Sequence, residues 1–196
     1  MKKLMKLAGL VVLATAAAAC SPPAQPPDND EPVEREENQL VAQAVAPLPE
    51  DLRAEATVVT YDPATGERKV LRQGTNFAEC QPKNAETGFR RCYSTASAPR
   101  RDLEAKLRAE GKTGEEVGAA IAAAREAGTI PAPPQGMMRY RLYDEPDRIQ
   151  HLWVMSLPGA TSEMIGVSTT AQRDASLAGQ GLPWLMRDGT PGAHVM

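Results

Sequence analysis

The chain has 196 residues, 42% of them hydrophobic, 24% charged and 4% aromatic, which suits one or two small domains around a lean core. Lys plus Arg number 22 against 25 Asp plus Glu, a net charge of −3, and this argues against a nucleic-acid binder with a basic face. The 17 Pro and 15 Gly follow no period, so collagen-like and solenoid folds are excluded as well.

Residues 1–19 divide into a basic start (Lys2, Lys3, Lys6), an apolar stretch from Leu7 to Ala18 and a small-residue end, the layout of an export signal. A dozen apolar residues cover about 18 Å as a helix against a hydrocarbon core of about 30 Å, so cleavage is expected rather than a retained span. Ala17-Ala18-Ala19-Cys20 resembles the lipobox of bacterial lipoproteins, although Ala17 stands where that motif usually has Leu, which leaves ordinary signal cleavage nearby as the alternative. The resemblance implies acylation of Cys20 by chains such as palmitate. Each buried methylene contributes about 0.8 kcal/mol, so several chains fasten a protein to a bilayer. Ser21 after the Cys resembles the pattern of lipoproteins passed to an outer membrane, with the domain facing the periplasm. Cleavage removes three of the 22 basic residues and no acid, so the mature chain carries 19 against 25, a charge of −6.

Ser21 to about Glu50 begins Ser-Pro-Pro-Ala-Gln-Pro-Pro and continues through Asp28, Asp30, Glu31, Glu34, Glu36 and Glu37. Little of it can be buried, so 20–50 is expected to be the lipidated Cys and a disordered, extended tether, with a short helix at Val41–Val45. A globular domain is expected over 51–196. Ala56 to Tyr61 is rich in β-branched residues, Asp62-Pro63-Ala64-Thr65-Gly66 is turn chemistry, and Lys69 to Arg72 is extended, which together predict a β-hairpin. Pro99, Leu103, Leu107 and Gly111, then Thr113, Glu116, Val117, Ile121 and Gly128, predict two helices in a hairpin, the second with a capping box. Met138 to Tyr143 alternates as a half-buried strand, Leu152 to Leu157 reads as a more apolar one, and Leu182–Met186 and Ala193–Met196 read as two short extended pieces. The expected class is α+β, a single domain with a mainly antiparallel sheet and a helical hairpin.

With Cys20 assigned to lipid, Cys80 and Cys92 remain. In an exported chain a pair across a polar loop containing Pro82, Asn84 and Gly88 is expected to form a disulfide. Cys80, Cys92, His151 and His194 offer a rival zinc set, but none of them has the two-to-four-residue spacing of structural zinc pairs.

Leu71-Arg-Gln-Gly-Thr-Asn76 leading to Cys80, Pro82 and Cys92, with His151-Leu-Trp-Val-Met, Leu182-Pro-Trp-Leu-Met and Gly189-Thr-Pro-Gly-Ala-His-Val-Met196 in order, resembles a family of uncharacterised exported bacterial proteins. The resemblance covers the domain in three patches and implies domain bounds but no catalytic residue.

His151 and His194 are the two histidines, each beside apolar strand residues, where a hydrogen-bonded structural role is the plain expectation. With Met155, Met186 and Met196 near in sequence, the alternative is a copper or zinc site on His151, His194, Met186 and Met196, since thioether and imidazole suit Cu(I). That site needs both imidazoles in one pocket. Asp144, Glu145 and Asp147 read as solvated turn charges around Pro146, and Trp153 and Trp184 as core. No nucleophile elbow, Walker loop or dinucleotide fingerprint occurs, so an enzyme is less expected than a binding or envelope-associated structural domain. The expected partners are a bilayer through Cys20, and an envelope protein or small ligand; neither nucleic acid nor a cofactor is expected.

Overall fold

The computed structural model describes residues 32–83 and 88–196. The expected export signal, Cys20 and the first part of the expected tether lie outside the described residues. Within the unit Glu31–Met196 the strands are β1 (Thr57–Tyr61), β2 (Arg68–Arg72), β3 (Ala78–Gln81), β4 (Phe89–Ser94), β5 (Met137–Tyr143), β6 (His151–Ser156), β7 (Leu185–Met186) and β8 (His194–Val195). They form one sheet in the order β2-β1-β3-β4-β5-β6-β8-β7. Among the described residues β1 with β3 is the one parallel pairing, and the rest are antiparallel. The expected α+β class and the β1–β2 hairpin are therefore present.

Register sorts the side chains onto two faces, because residues directly opposite one another point the same way. Val58, Cys80, Cys92, Tyr140 and Trp153 form one row across five strands. Glu79, Tyr93, Arg139 and Val154 form a row on the other face, and Gln81, Arg91, Arg141 and Leu152 a second row beside it.

The first face is covered by α1 (Pro32–Val45), whose Val41, Ala44 and Val45 pack with Leu48 onto Val58, Cys80, Cys92 and Tyr140. Positions 41, 44, 45 and 48 follow the i, i+3, i+4, i+7 spacing of one helix face. Within the stretch expected to be tether, residues 41–48 thus belong to the core, and the short helix expected at Val41–Val45 is the last part of a longer one that starts at Pro32. Physically, the acidic first turns are solvated while one stripe of the last turns is buried. Leu48 is 1% exposed. Arg53, at the end of α2 (Glu50–Arg53), donates from Nε to the Leu48 carbonyl at 2.9 Å and from a terminal nitrogen to that of Ala46 at 3.2 Å, satisfying groups the helix end leaves open.

Cys80 and Cys92 are opposite one another on β3 and β4, fully buried and joined as a disulfide. The bond lies under α1, so it ties the central strands where the helix docks.

The other face meets α3 (Ala98–Ala109), which with α4 (Gly114–Glu126) forms the expected helical hairpin. Thr113 caps α4: its Oγ1 accepts from the Glu116 N–H at 3.3 Å while the Thr113 N–H donates to the Glu116 carboxylate at 2.8 Å. Val117 and Ile121 bury with Ile130 against Leu103 and Leu107 in a small core of the hairpin's own. Gly66 ends the β1–β2 turn at φ +71°, and a Cβ there would sit 2.6 Å from the Lys106 backbone, so only glycine lets this turn abut α3. Below it the Tyr61 hydroxyl donates to Asp102 at 2.7 Å, and Arg68 pairs with buried Glu79.

Trp184 is buried as expected, whereas Trp153 is 51% exposed and contradicts the core expectation. Its position on β6 places it on the α1 face of the sheet, beyond the strands that α1 contacts, and it meets Tyr140 edge-on at 5.7 Å. The helices α5 (Ser162–Ile165) and α6 (Arg173–Leu177) are short pieces between β6 and β7.

Candidate functional site

On the face away from α1, Arg139 and Arg141 occupy alternate positions of β5 and point the same way, about 7 Å apart along the strand. The α3–α4 hairpin brings Arg100, Arg101 and Arg125 to that face, and the β7–β8 connection brings Arg187. Together they line a cavity of about 450 Å³. Six arginines and His194 reach its wall, and among the described residues no Asp or Glu does. Met137, Met186, Met196 and three prolines complete an apolar rim.

The acids that serve this cluster stand behind it. Glu104 pairs with Arg101 at 2.7 Å and with Arg100 at 3.2 Å, and these arginines hold its carboxyl below the usual range against the opposing effect of burial. The Arg101 guanidinium lies 3.8 Å from the Tyr93 ring centre, a cation on an aromatic face. Burial pushes Arg101 down to about 10. Arg139 is likewise pushed down to about 10, by burial first and by Arg141 next. Both remain cations at neutral pH. Among the described residues Arg125, Arg139, Arg141 and Arg187 have no ion-pair partner, and the Nε atoms of Arg101, Arg125, Arg139 and Arg141 are buried without a hydrogen-bond acceptor.

Arg187 is the one non-glycine residue with positive φ among those described, at 57°. Such a backbone is held by its surroundings. Its carbonyl accepts from the Thr190 N–H at 3.1 Å and from the Thr190 hydroxyl at 2.7 Å, and Gly192 leaves its side chain room, since a Cβ there would come within 3.2 Å of it. His194 Nδ1 lies 2.8 Å from the Gly192 carbonyl oxygen. Burial lowers the His194 pKa, and Arg139, Arg187 and Arg141 add to the effect.

His194, Met186 and Met196 share this cavity, while His151 does not. His194 pairs with Ser156, five residues along β6 from His151, so the two histidines stand roughly 17 Å apart in register and on opposite faces. The shared pocket required by a two-histidine metal site is not formed, because an odd separation on a strand reverses the side chain. A cation beside His194 would also meet the arginine cluster. Among the described residues no group of three His, Cys, Asp or Glu is placed to hold a metal ion, and Cys80 and Cys92 are consumed by their disulfide. Asp144 is exposed and lies 2.8 Å from Lys83 and 2.5 Å from Arg90, which lower its pKa, as a solvated turn charge would.

Composition hides the arginine site. The residues sit at Arg100, Arg101, Arg125, Arg139, Arg141 and Arg187, scattered over a chain of negative net charge. The one local signal is the Met138-Arg-Tyr-Arg-Leu-Tyr143 alternation, which puts two arginines on the same face as buried Tyr143. No family model, curated protein or solved structure matches the chain.

Proposed function

We propose that this chain is an exported binding module, lipid-anchored at Cys20, that takes an anionic ligand into the arginine-lined cavity. The observation that carries the reading is the cavity itself: six arginines line it, no Asp or Glu does among the described residues, and four of the six have no ion pair there. Guanidinium forks match carboxylate and phosphate oxygens, and like charges held together in a partly dry site become favourable when an anion joins them. The basic, apolar and small-residue order of residues 1–20 supports export and acylation, as does its resemblance to lipoprotein signals. A buried Cys80–Cys92 disulfide suits an oxidising compartment such as the periplasm. In this reading the proline-rich and acidic residues before α1 are the spacer between lipid and domain.

Thermal unfolding at constant ionic strength tests the reading. Phosphate and citrate are expected to raise Tm more than chloride does, and Arg139→Gln and Arg141→Gln to abolish the difference. An equal rise in wild type and both variants, or none in wild type, would refute the assignment.

A further inference from the structure

We infer that the ligand of this cavity is an organic bisphosphate, a molecule bearing two phosphate groups on a small carbon body. The inference rests on the reading of the cavity as an anion site and specifies its occupant. Two of the six guanidinium groups, Arg100 and Arg101, already share the Glu104 carboxylate. Arg125, Arg139, Arg141 and Arg187 are left without ion pairs among the described residues. Each phosphate monoester carries about −1.5 to −2 at neutral pH, so two of them supply about the four negative charges required, whereas a dicarboxylate supplies two.

The placement of the arginines agrees with two charged groups rather than one. Arg139 and Arg141 come from β5, Arg125 from the last turn of α4, and Arg187 from the β7–β8 connection, so three separate elements supply the cations. A cavity of about 450 Å³ is far larger than one phosphate group and falls within the range that holds drug-sized ligands. Met137, Met186 and Met196 give the carbon body an apolar seat. The Nε–H groups of Arg101, Arg125, Arg139 and Arg141 are buried without an acceptor, so the donors available to phosphate oxygens are terminal guanidinium nitrogens.

Calorimetric titration of the full chain in detergent, at fixed ionic strength, tests this with butanediol bisphosphate, butyl phosphate and adipate. The bisphosphate is expected to bind at least about tenfold more tightly than either of the others, and Arg139→Gln or Arg125→Gln to weaken it about tenfold, the loss typical of one charge-assisted hydrogen bond. The second variant lies on α4, away from the sheet, and keeps the test open if the first fails to fold. Equal binding of butyl phosphate or adipate overturns the bisphosphate inference and leaves the anion site standing; binding of none of the three overturns both. Phosphatidylcholine vesicles carrying a bisphosphorylated phosphoinositide separate the sources. Capture displaced by butanediol bisphosphate assigns a membrane headgroup, and soluble binding without capture assigns a free metabolite, either of which supports the inference.

Discussion

Arg139 is a cation that the empty fold tolerates at a loss. Its pKa of about 10 lies below the ordinary arginine range, so folding disfavours the charged form at every pH below about 10, and stability should rise as pH climbs above that value. Arg139→Gln is therefore expected to stabilise the unliganded protein at neutral pH by about 1 to 2 kcal/mol, after allowance for solvent screening, while weakening anion binding. Urea unfolding checks the first half, and a loss of stability would show that the residue is structural. His194 carries the opposite sign on binding. Its pKa is lowered by burial and by Arg139, Arg187 and Arg141, and an anion among those arginines would raise it. On binding the imidazole then takes up protons, while phosphate monoesters, whose second ionisation lies at about pH 6, release them. Calorimetry in buffers of different ionisation enthalpy reads the net proton exchange, which His194→Gln should shift toward release. Arg68 has a purely structural task beside Glu79, whose side chain is 3% exposed. Arg68→Ala leaves that carboxylate buried without its ion-pair partner and is expected to cost about 3 kcal/mol in urea unfolding.

At the scale of elements, α1 and the disulfide act on the same core. Leu48→Ala should cost about 3 kcal/mol, since Leu48 is buried under the helix that covers β1, β3 and β4. Reduction of Cys80–Cys92 should lower stability by about 3 kcal/mol in the chain-entropy account, read as a fall in Tm with reductant. A wild-type Tm unmoved by reductant would contradict this role. Legibility in the sequence varied with how local each signal is. The β1–β2 hairpin, the α3–α4 hairpin with its Thr113–Glu116 box, and β5 and β6 were readable because turn chemistry, capping and alternation act over a few residues. Only the Val41–Val45 end of α1 is legible: the charges of Glu34, Glu36 and Glu37 dominate the rest of its composition, and the burial of Val41, Ala44, Val45 and the following Leu48 depends on a sheet formed later in the chain. Trp153 departs from the core expectation for a related reason, since strand periodicity fixes its face but not whether a helix extends over that face.

Taken as a whole, the molecule separates its charges. Acidic residues crowd the first turns of α1 and the segment before it, whereas arginines drawn from α3, α4, β5 and the β7–β8 connection meet in one cavity. No amount of local reading brings Arg101, Arg125, Arg139 and Arg187 together, because their proximity is a product of strand order and helix docking. Among the described residues no helix is long and apolar enough to cross a membrane. The most direct test is an NMR titration that follows the arginine Nε–Hε resonances as phosphate or butanediol bisphosphate is added. Saturable shifts of Arg101, Arg125, Arg139 and Arg141, with Arg53 and Arg72 unmoved, are the expected result. Unchanged resonances in the cavity, or shifts confined to arginines outside it, would contradict the account.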